Sequence, residues 1–123
     1  MKTVKLIVYG TLMSGERNHG FCRNAVNITH CTITGTFYDT GYGFPAFVPE
    51  SENTVAAELI EIPIEAWAAV DRLEGYPRVY DRLMFPAKLA DGTDTTGWIY
   101  IMHTLPPMAK VIPGGDWKEY RHG

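Results

Sequence analysis

Two short stretches of the chain carry residue types that could do chemistry. The first is Tyr9-Gly10-Thr11-Leu12-Met13-Ser14-Gly15, a turn that follows an apolar run. Glycine lets backbone approach a ligand closely, and successive N–H groups in a tight turn form a concavity suited to a carboxylate or a developing oxyanion. The turn lacks the spacing of a phosphate loop, so nothing in it indicates a nucleotide. The second stretch is Asp71-Arg72-Leu73-Glu74-Gly75-Tyr76-Pro77. Glu74 falls in the last turn of a predicted helix, beside the negative end of the macrodipole, where a carboxylate costs roughly 0.3–1 kcal/mol at an exposed site. Partial burial among Leu73, Tyr76 and Tyr80 would lift its pKa toward the range of a general base. A local preference broken in this way is a mark of functional sites. Taken singly, an ordinary strand-ending turn and an exposed helix-end glutamate would carry the same residues.

Other reactive side chains make weaker candidates. His19, His30, His103 and His122 have no metal-ligand spacing, and no metal site is predicted. There is no Gly-x-Ser-x-Gly elbow and no marked His/Asp pair, which leaves nucleophilic catalysis with little support. The aromatic segment Tyr42 to Phe47 serves equally as core packing or as a pocket wall.

The elements that must hold these residues are short and punctuated by glycine and proline. Val4 to Tyr9 reads as a buried strand closed by Gly10. Thr11 to Asn18 reads as a loop, followed by a short helix over Phe21 to Ala25. Thr32 to Tyr38 is predicted as one strand with a bulge or close backbone approach at Gly35. Gly41 to Phe47, broken by two glycines and a proline, is predicted to be irregular. Val55 to Ile62 is a further strand with apolar residues on both faces. A helix follows, with Pro63 in its first turn, Ile64, Trp67, Val70 and Leu73 along one face, and Gly75 as a left-handed cap. Strands over Tyr80 to Leu89 and Thr96 to His103 flank Asp91-Gly92, a hairpin signal. The tail from Leu105 onward is expected to lie across the body, held by Ile112 and Trp117. Strands around one clear helix predict an α+β domain built on a twisted or closed sheet.

A chain of 123 residues with 46% hydrophobic side chains predicts one domain over 1–123. Eleven basic residues against fourteen acidic ones, scattered along the chain, argue against nucleic acid as a partner. Cys22 and Cys31 are too few for a disulfide framework and too far apart for a Cys-x-x-Cys pair, and free thiols point to a reducing, cytoplasmic setting. The basic start leads into a strand rather than a signal peptide, and no stretch reaches the roughly 20 apolar residues of a membrane span.

Considered together, Val-Tyr-Gly-Thr-Leu-Met at 8 to 13 and Leu-Glu-Gly-Tyr-Pro-Arg-Val-Tyr at 73 to 80 resemble the γ-glutamylcyclotransferase family, in particular its short form, which includes the γ-glutamylamine cyclotransferases. Gly35-Thr36-Phe37-Tyr38-Asp39, Phe44-Pro45-Ala46, Val55-Ala56-Ala57-Glu58-Leu59, Gly97-Trp98-Ile99-Tyr100 and Ile112-Pro113-Gly114-Gly115-Asp116-Trp117 look like it too, so the resemblance spans most of the chain. It implies a small mixed β-barrel with flanking helices, a cavity at its mouth, and an anion-holding loop of Tyr9, Gly10, Thr11 and Leu12. It also implies Glu74 as the catalytic acid/base and Tyr80 on the pocket wall, with no metal or organic cofactor.

The expected reaction releases 5-oxoproline and an amine or amino acid from a γ-glutamyl amide, an amide C–N cleavage of lyase type in which the substrate's own α-amine attacks. Ring closure needs mainly orientation, a proton acceptor and an oxyanion donor. Two rivals share the scaffold: a module that binds a small amino-acid-like ligand without turnover, and an amidase or acyl transferase in which Glu74 activates water or an acceptor.

Overall fold

A computed structural model describes residues 2–122; Met1 and Gly123, the ends of the predicted domain, lie outside the described residues. The chain runs through β1 (Thr3–Val8), a 3-10 turn at His19–Cys22, β2 (Asn27–Thr34), β3 (Thr36–Asp39), β4 (Pro45–Val48) and β5 (Thr54–Pro63). It continues through a 3-10 turn at Ile64–Ala66, α1 (Trp67–Glu74), β6 (Asp81–Leu89), β7 (Asp94–Ile101), β8 (Lys110–Val111) and α2 (Trp117–His122). Strands β1, β5, β2, β6 and β7 close into a barrel in that order, and β4, β3 and β8 form a second small sheet. The barrel is mixed: β1 pairs antiparallel with β5, and its closing pair with β7 is parallel, with Leu6 opposite Trp98 and Ile7 opposite Ile99.

Both faces of the central strands are buried. Ile7, Leu59 and Ile99 stand in register and share a cluster with Cys31, Ile33 and Ala87. All five barrel strands contribute to that cluster, which makes it the barrel interior. The opposite face, with Leu6, Val8, Ile60 and Ile62, packs against Val70 of α1. A strand buried on both sides shows no clean alternation, which explains the mixed pattern of β5.

Several boundaries differ from the sequence-based expectations. The strand predicted over Thr32 to Tyr38 is two strands in two sheets, divided at Gly35, where the Phe47 ring occupies the place of a side chain. The segment predicted irregular to Phe47 becomes regular at Pro45, because β4 pairs with β3, Phe37 opposite Phe47. Instead of a helix over Phe21 to Ala25 there is the 3-10 turn ending at Cys22. Pro63 ends β5 rather than opening a helix, and Ile64 is 43% exposed, off the buried stripe of α1.

The helix signal itself lies over α1. Val70 is fully buried, and the helix stops at Glu74 because Gly75 adopts φ 65°. The N–H of Gly75 donates to the Arg72 carbonyl and that of Tyr76 to the Asp71 carbonyl, a left-handed cap that satisfies the helix's last acceptors. The tail is anchored by Ile112 and by Trp117, which is 1% exposed and meets Phe37 edge-on at 6.4 Å. Among the described residues no helix is long and apolar enough to cross a membrane.

Candidate active site

At the end of β1 the chain leaves the barrel through Tyr9 and turns sharply. The Met13 N–H donates to the Gly10 carbonyl at 3.0 Å, closing the turn, and the Asn18 N–H and side-chain amide both donate to Thr11, at 2.9 Å and 3.0 Å. Gly10 is required by a close approach, since a β-carbon there would stand 2.5 Å from Cγ of Pro45. Among the described residues the N–H groups of Gly10, Thr11 and Leu12 have no protein acceptor. Three main-chain donors on one tight turn are the geometry that suits an anion.

A cavity of about 360 Å³ opens against this turn. Tyr9, Gly10, Thr11, Leu12, Glu74 and Tyr80 all line it. The structure therefore brings the expected anion-loop residues, Glu74 and Tyr80 to one cavity, whereas Tyr76, expected to help bury Glu74, is exposed and lies against the Arg82 guanidinium instead. Phe44 and Pro45 contribute a wall, whereas Phe47 is fully buried in the core, so the aromatic segment divides between the two roles considered for it.

Glu74 is half-buried at the C-terminal end of α1. Its carboxylate accepts no hydrogen bond from the protein among the described residues, and burial, followed by repulsion from Asp71, raises its pKa to about 7. A carboxylate balanced near neutrality can both take and return a proton. The neighbouring phenols cannot share that work. The Tyr80 hydroxyl donates to the Pro45 carbonyl at 2.6 Å and the Tyr9 hydroxyl to the Tyr100 carbonyl at 2.5 Å. Burial, above all, with the negative charge of Glu74 adding to it, pushes both phenols upward, so they stay protonated and act as walls and struts.

Three features of the site escaped the sequence reading. Arg17 and Asn18 belong to the polar loop and reach the cavity, and Arg17 and Glu74 are its charged lining side chains. Glu58 of β5 is only 1% exposed, and it accepts from the N–H of Ser14 at 2.7 Å and from the Ser14 hydroxyl at 3.1 Å. The signal for it was a carboxylate inside a β-branched, apolar strand. Behind Glu74, the Tyr100 hydroxyl donates to Asp71 at 2.5 Å and accepts from the Trp67 indole at 3.1 Å. The Arg82 guanidinium stacks 3.8 Å from the Trp67 ring centroid, with Asp71 3.2 Å from its Nε.

None of the four histidines is among the residues that line the cavity: the His19 ring contacts the carbonyl of Leu12, itself a lining residue, and His103 and His122 contact Asp81 and Glu16. No cluster of three potential metal-ligating side chains occurs among the described residues. Cys22 and Cys31 are buried free thiols, pushed up to about 11 chiefly by burial, and neither supplies a thiolate nucleophile near neutral pH.

The family described as Gamma-glutamyl cyclotransferase, AIG2-like matches residues 6–119. The chain belongs to this family. Among the members of the gamma-glutamyl cyclotransferase family similar to it is the gamma-L-glutamyl-butirosin B gamma-glutamyl cyclotransferase of Niallia circulans, 32% identical over 94% of this chain and 76% of that one. An AIG2-like protein from Mus musculus shares the fold with a TM-score of 0.77 at 17% identity, covering 95% of each chain. YkqA from Bacillus subtilis superposes with a TM-score of 0.74 at 24% identity, over 98% of this chain; this chain spans 41% of YkqA. These likenesses to solved structures are likenesses of fold, and the mixed barrel with its few short helices is the gamma-glutamyl cyclotransferase fold.

Proposed function

We propose that this member of the family cleaves a γ-glutamyl amide by intramolecular cyclisation, with Glu74 as acid/base and the Tyr9–Leu12 turn as anion holder. The observation that carries the reading is the pairing of a near-neutral carboxylate with free main-chain N–H groups across one cavity. Glu74 takes a proton from the substrate's α-ammonium, and the freed amine attacks the γ-carbonyl carbon to close a five-membered ring. The carbonyl oxygen gains negative charge, and the N–H groups of the turn are its donors, or those of the substrate's α-carboxylate. Glu74 then passes its proton to the leaving nitrogen as the amide C–N bond breaks. The ring nitrogen releases one proton to solvent and the departing amine takes one up there. The products are 5-oxoproline and the amine.

No group here has to act as a nucleophile, which agrees with the protonated phenols and buried thiols around the site. The substrate carries its own attacking amine, so the cavity has only to hold the short chain folded for ring closure beside an acid/base group, which typically contributes about 10²- to 10⁴-fold. The name of the N. circulans relative supports cyclotransferase chemistry. Free buried thiols suit a cytoplasmic place of action. Incubation with a panel of γ-glutamyl compounds and detection of 5-oxoproline tests the reading. Free glutamate would mean hydrolysis instead, and an intact bound ligand would mean a binding module.

A further inference from the structure

Asp71 stands one helical turn before Glu74 on α1, and side chains three residues apart share a helix face. Among the described residues Asp71 is the charge that acts, together with burial, against ionisation of Glu74. Two strands reach across the back of the site to hold it. From β7 the Tyr100 hydroxyl donates to Oδ1 of Asp71 at 2.5 Å while accepting from the Trp67 indole, and Tyr100 also lines the cavity. From β6, Nε of Arg82 faces the same oxygen at 3.2 Å. That Nε is buried and makes no hydrogen bond among the described residues, so the contact is one of charge with charge. Three rings cage the guanidinium, at 3.8 Å from the Trp67 centroid, 4.5 Å from that of Tyr76 and 5.2 Å from that of Trp98. Aromatic faces attract a cation and leave its charge in place.

The other ionisable groups around Glu74 do not compete with this pair. Tyr9, Tyr80 and Tyr100 are phenols raised chiefly by burial, and the Cys22 thiol, pushed up to about 11, stays protonated as well. Arg17 lines the cavity, but its guanidinium lies against Gly43. The geometry points to Asp71 and Arg82 as opposed positioning residues for the reaction: the carboxylate holds the proton on Glu74, the caged guanidinium limits that hold, and their balance fixes the pH at which Glu74 serves as base. The inference rests on the acid/base role proposed above for Glu74, and adds to it two groups of which neither lines the cavity. Their place behind the site has a chemical reason. A guanidinium in direct contact with Glu74 would fix it as a carboxylate and keep it from holding the proton it must return, whereas one that acts through Asp71 has a graded effect.

The test titrates the Glu74 carboxyl by NMR of its labelled carbon and, on the same variants, follows kcat/KM for 5-oxoproline release against pH. Asp71→Asn keeps an acceptor for Tyr100 and removes the charge. The Glu74 midpoint should then fall by about 0.5–1 pH unit, the scale of a like charge about 5–6 Å away with water reaching one of the pair. Arg82→Gln should raise the midpoint, because Asp71 is left without its counter-charge, and Arg82→Lys should bring it back toward the wild-type value. The acidic limb of kcat/KM should follow the midpoint in each variant. If Arg82→Gln does not fold, Arg82→Met, with a flexible uncharged chain to lie between the rings, takes its place. Loosened packing would admit water and lower the midpoint in both variants, so movements in opposite directions are what a merely structural role cannot produce. Midpoints that stay put, or that move the same way, overturn the inference and leave the cyclisation reading standing. Opposite movements with an unmoved limb, or no release by the wild type from any γ-glutamyl amide, overturn the base role of Glu74 and with it the pair's part in the reaction.

Discussion

The buried carboxylate of Glu58 is held by Ser14, whose N–H and hydroxyl both donate to its Oε1, while Nζ of Lys118 stands 3.4 Å from Oε2. One side chain of the barrel thereby ties down the loop that follows the Tyr9–Leu12 turn and connects it to α2. Glu58 is 1% exposed and Lys118 about a third exposed, so the two partners are not equivalent. Removing the lysine strands a buried charge, whereas removing the glutamate leaves a lysine that can turn to water. Loss of one partner from a fully buried pair costs about 3–5 kcal/mol. Solvent near Lys118 reduces that, and Lys118→Met should cost about 1–3 kcal/mol. Urea unfolding of Lys118→Met, Glu58→Gln and the double variant should give a double-mutant energy smaller than the sum of the singles. Additive losses would show that the contact contributes nothing.

Glu74→Gln keeps size and hydrogen-bonding capacity but cannot exchange a proton. Release of 5-oxoproline should fall by about 10²- to 10⁴-fold, toward the upper end because the group acts twice, with affinity for 5-oxoproline nearly retained. In the wild type kcat/KM should climb through an ionisation at about 7, as the carboxylate becomes able to accept a proton. That limb should be missing from the residual rate of the variant. Near-normal release by Glu74→Gln would move the acid/base role to another group.

The same carboxylate makes stability depend on pH in a stated direction. Its folded pKa of about 7 lies above the ordinary value of 4.5, so the folded protein binds the proton more tightly than the unfolded chain. Below pH 4.5 both states are protonated and this preference for the fold is present in full; it is lost as pH rises through 7. The loss is roughly 2–3 kcal/mol, given that Glu74 keeps some contact with solvent. Glu74→Gln should therefore be more stable than the wild type at pH 8, and the gap should close toward pH 4.5. Thermal unfolding of both across that range would expose a constant gap if burial of the charge were unimportant.

Tyr80→Phe removes the donor to the Pro45 carbonyl, a buried hydrogen bond of 2.6 Å, and leaves that oxygen without the Tyr80 proton. The cost should be about 1–3 kcal/mol. Pro45 packs on Gly10 and lines the cavity, so 5-oxoproline affinity should weaken along with stability. Calorimetric unfolding and a binding titration would measure both, and a loss of stability with full affinity would separate the strut from the site.

Much of this protein is decided close along the chain. The apolar run Val4 to Val8 and its glycine stop make β1, and the spacing of Trp67, Val70 and Leu73 before Gly75 makes α1. Asp91-Gly92 sits in the connection between β6 and β7. These signals depend on backbone preference and on periodicity within a few residues, which any isolated segment already possesses. The two site motifs were legible for the same reason, each being a local turn with unusual chemistry. What the tertiary structure alone decided is which segments meet. Gly35 marks an interruption within Thr32 to Tyr38, but that the two halves join different sheets, with the Phe47 ring against Gly35, is decided only in three dimensions. Pro45 to Val48 contains a proline and few residues, and it becomes a strand because β3 supplies its partner. Glu58 has the look of a solvated carboxylate until Ser14 and Lys118, from elsewhere in the chain, meet it in the interior. The pKa of Glu74 likewise depends on walls contributed by distant parts of the chain. Local propensity is set by the few neighbours a residue has along the chain, whereas burial and charge environment are set by contacts that exist only once the barrel has closed.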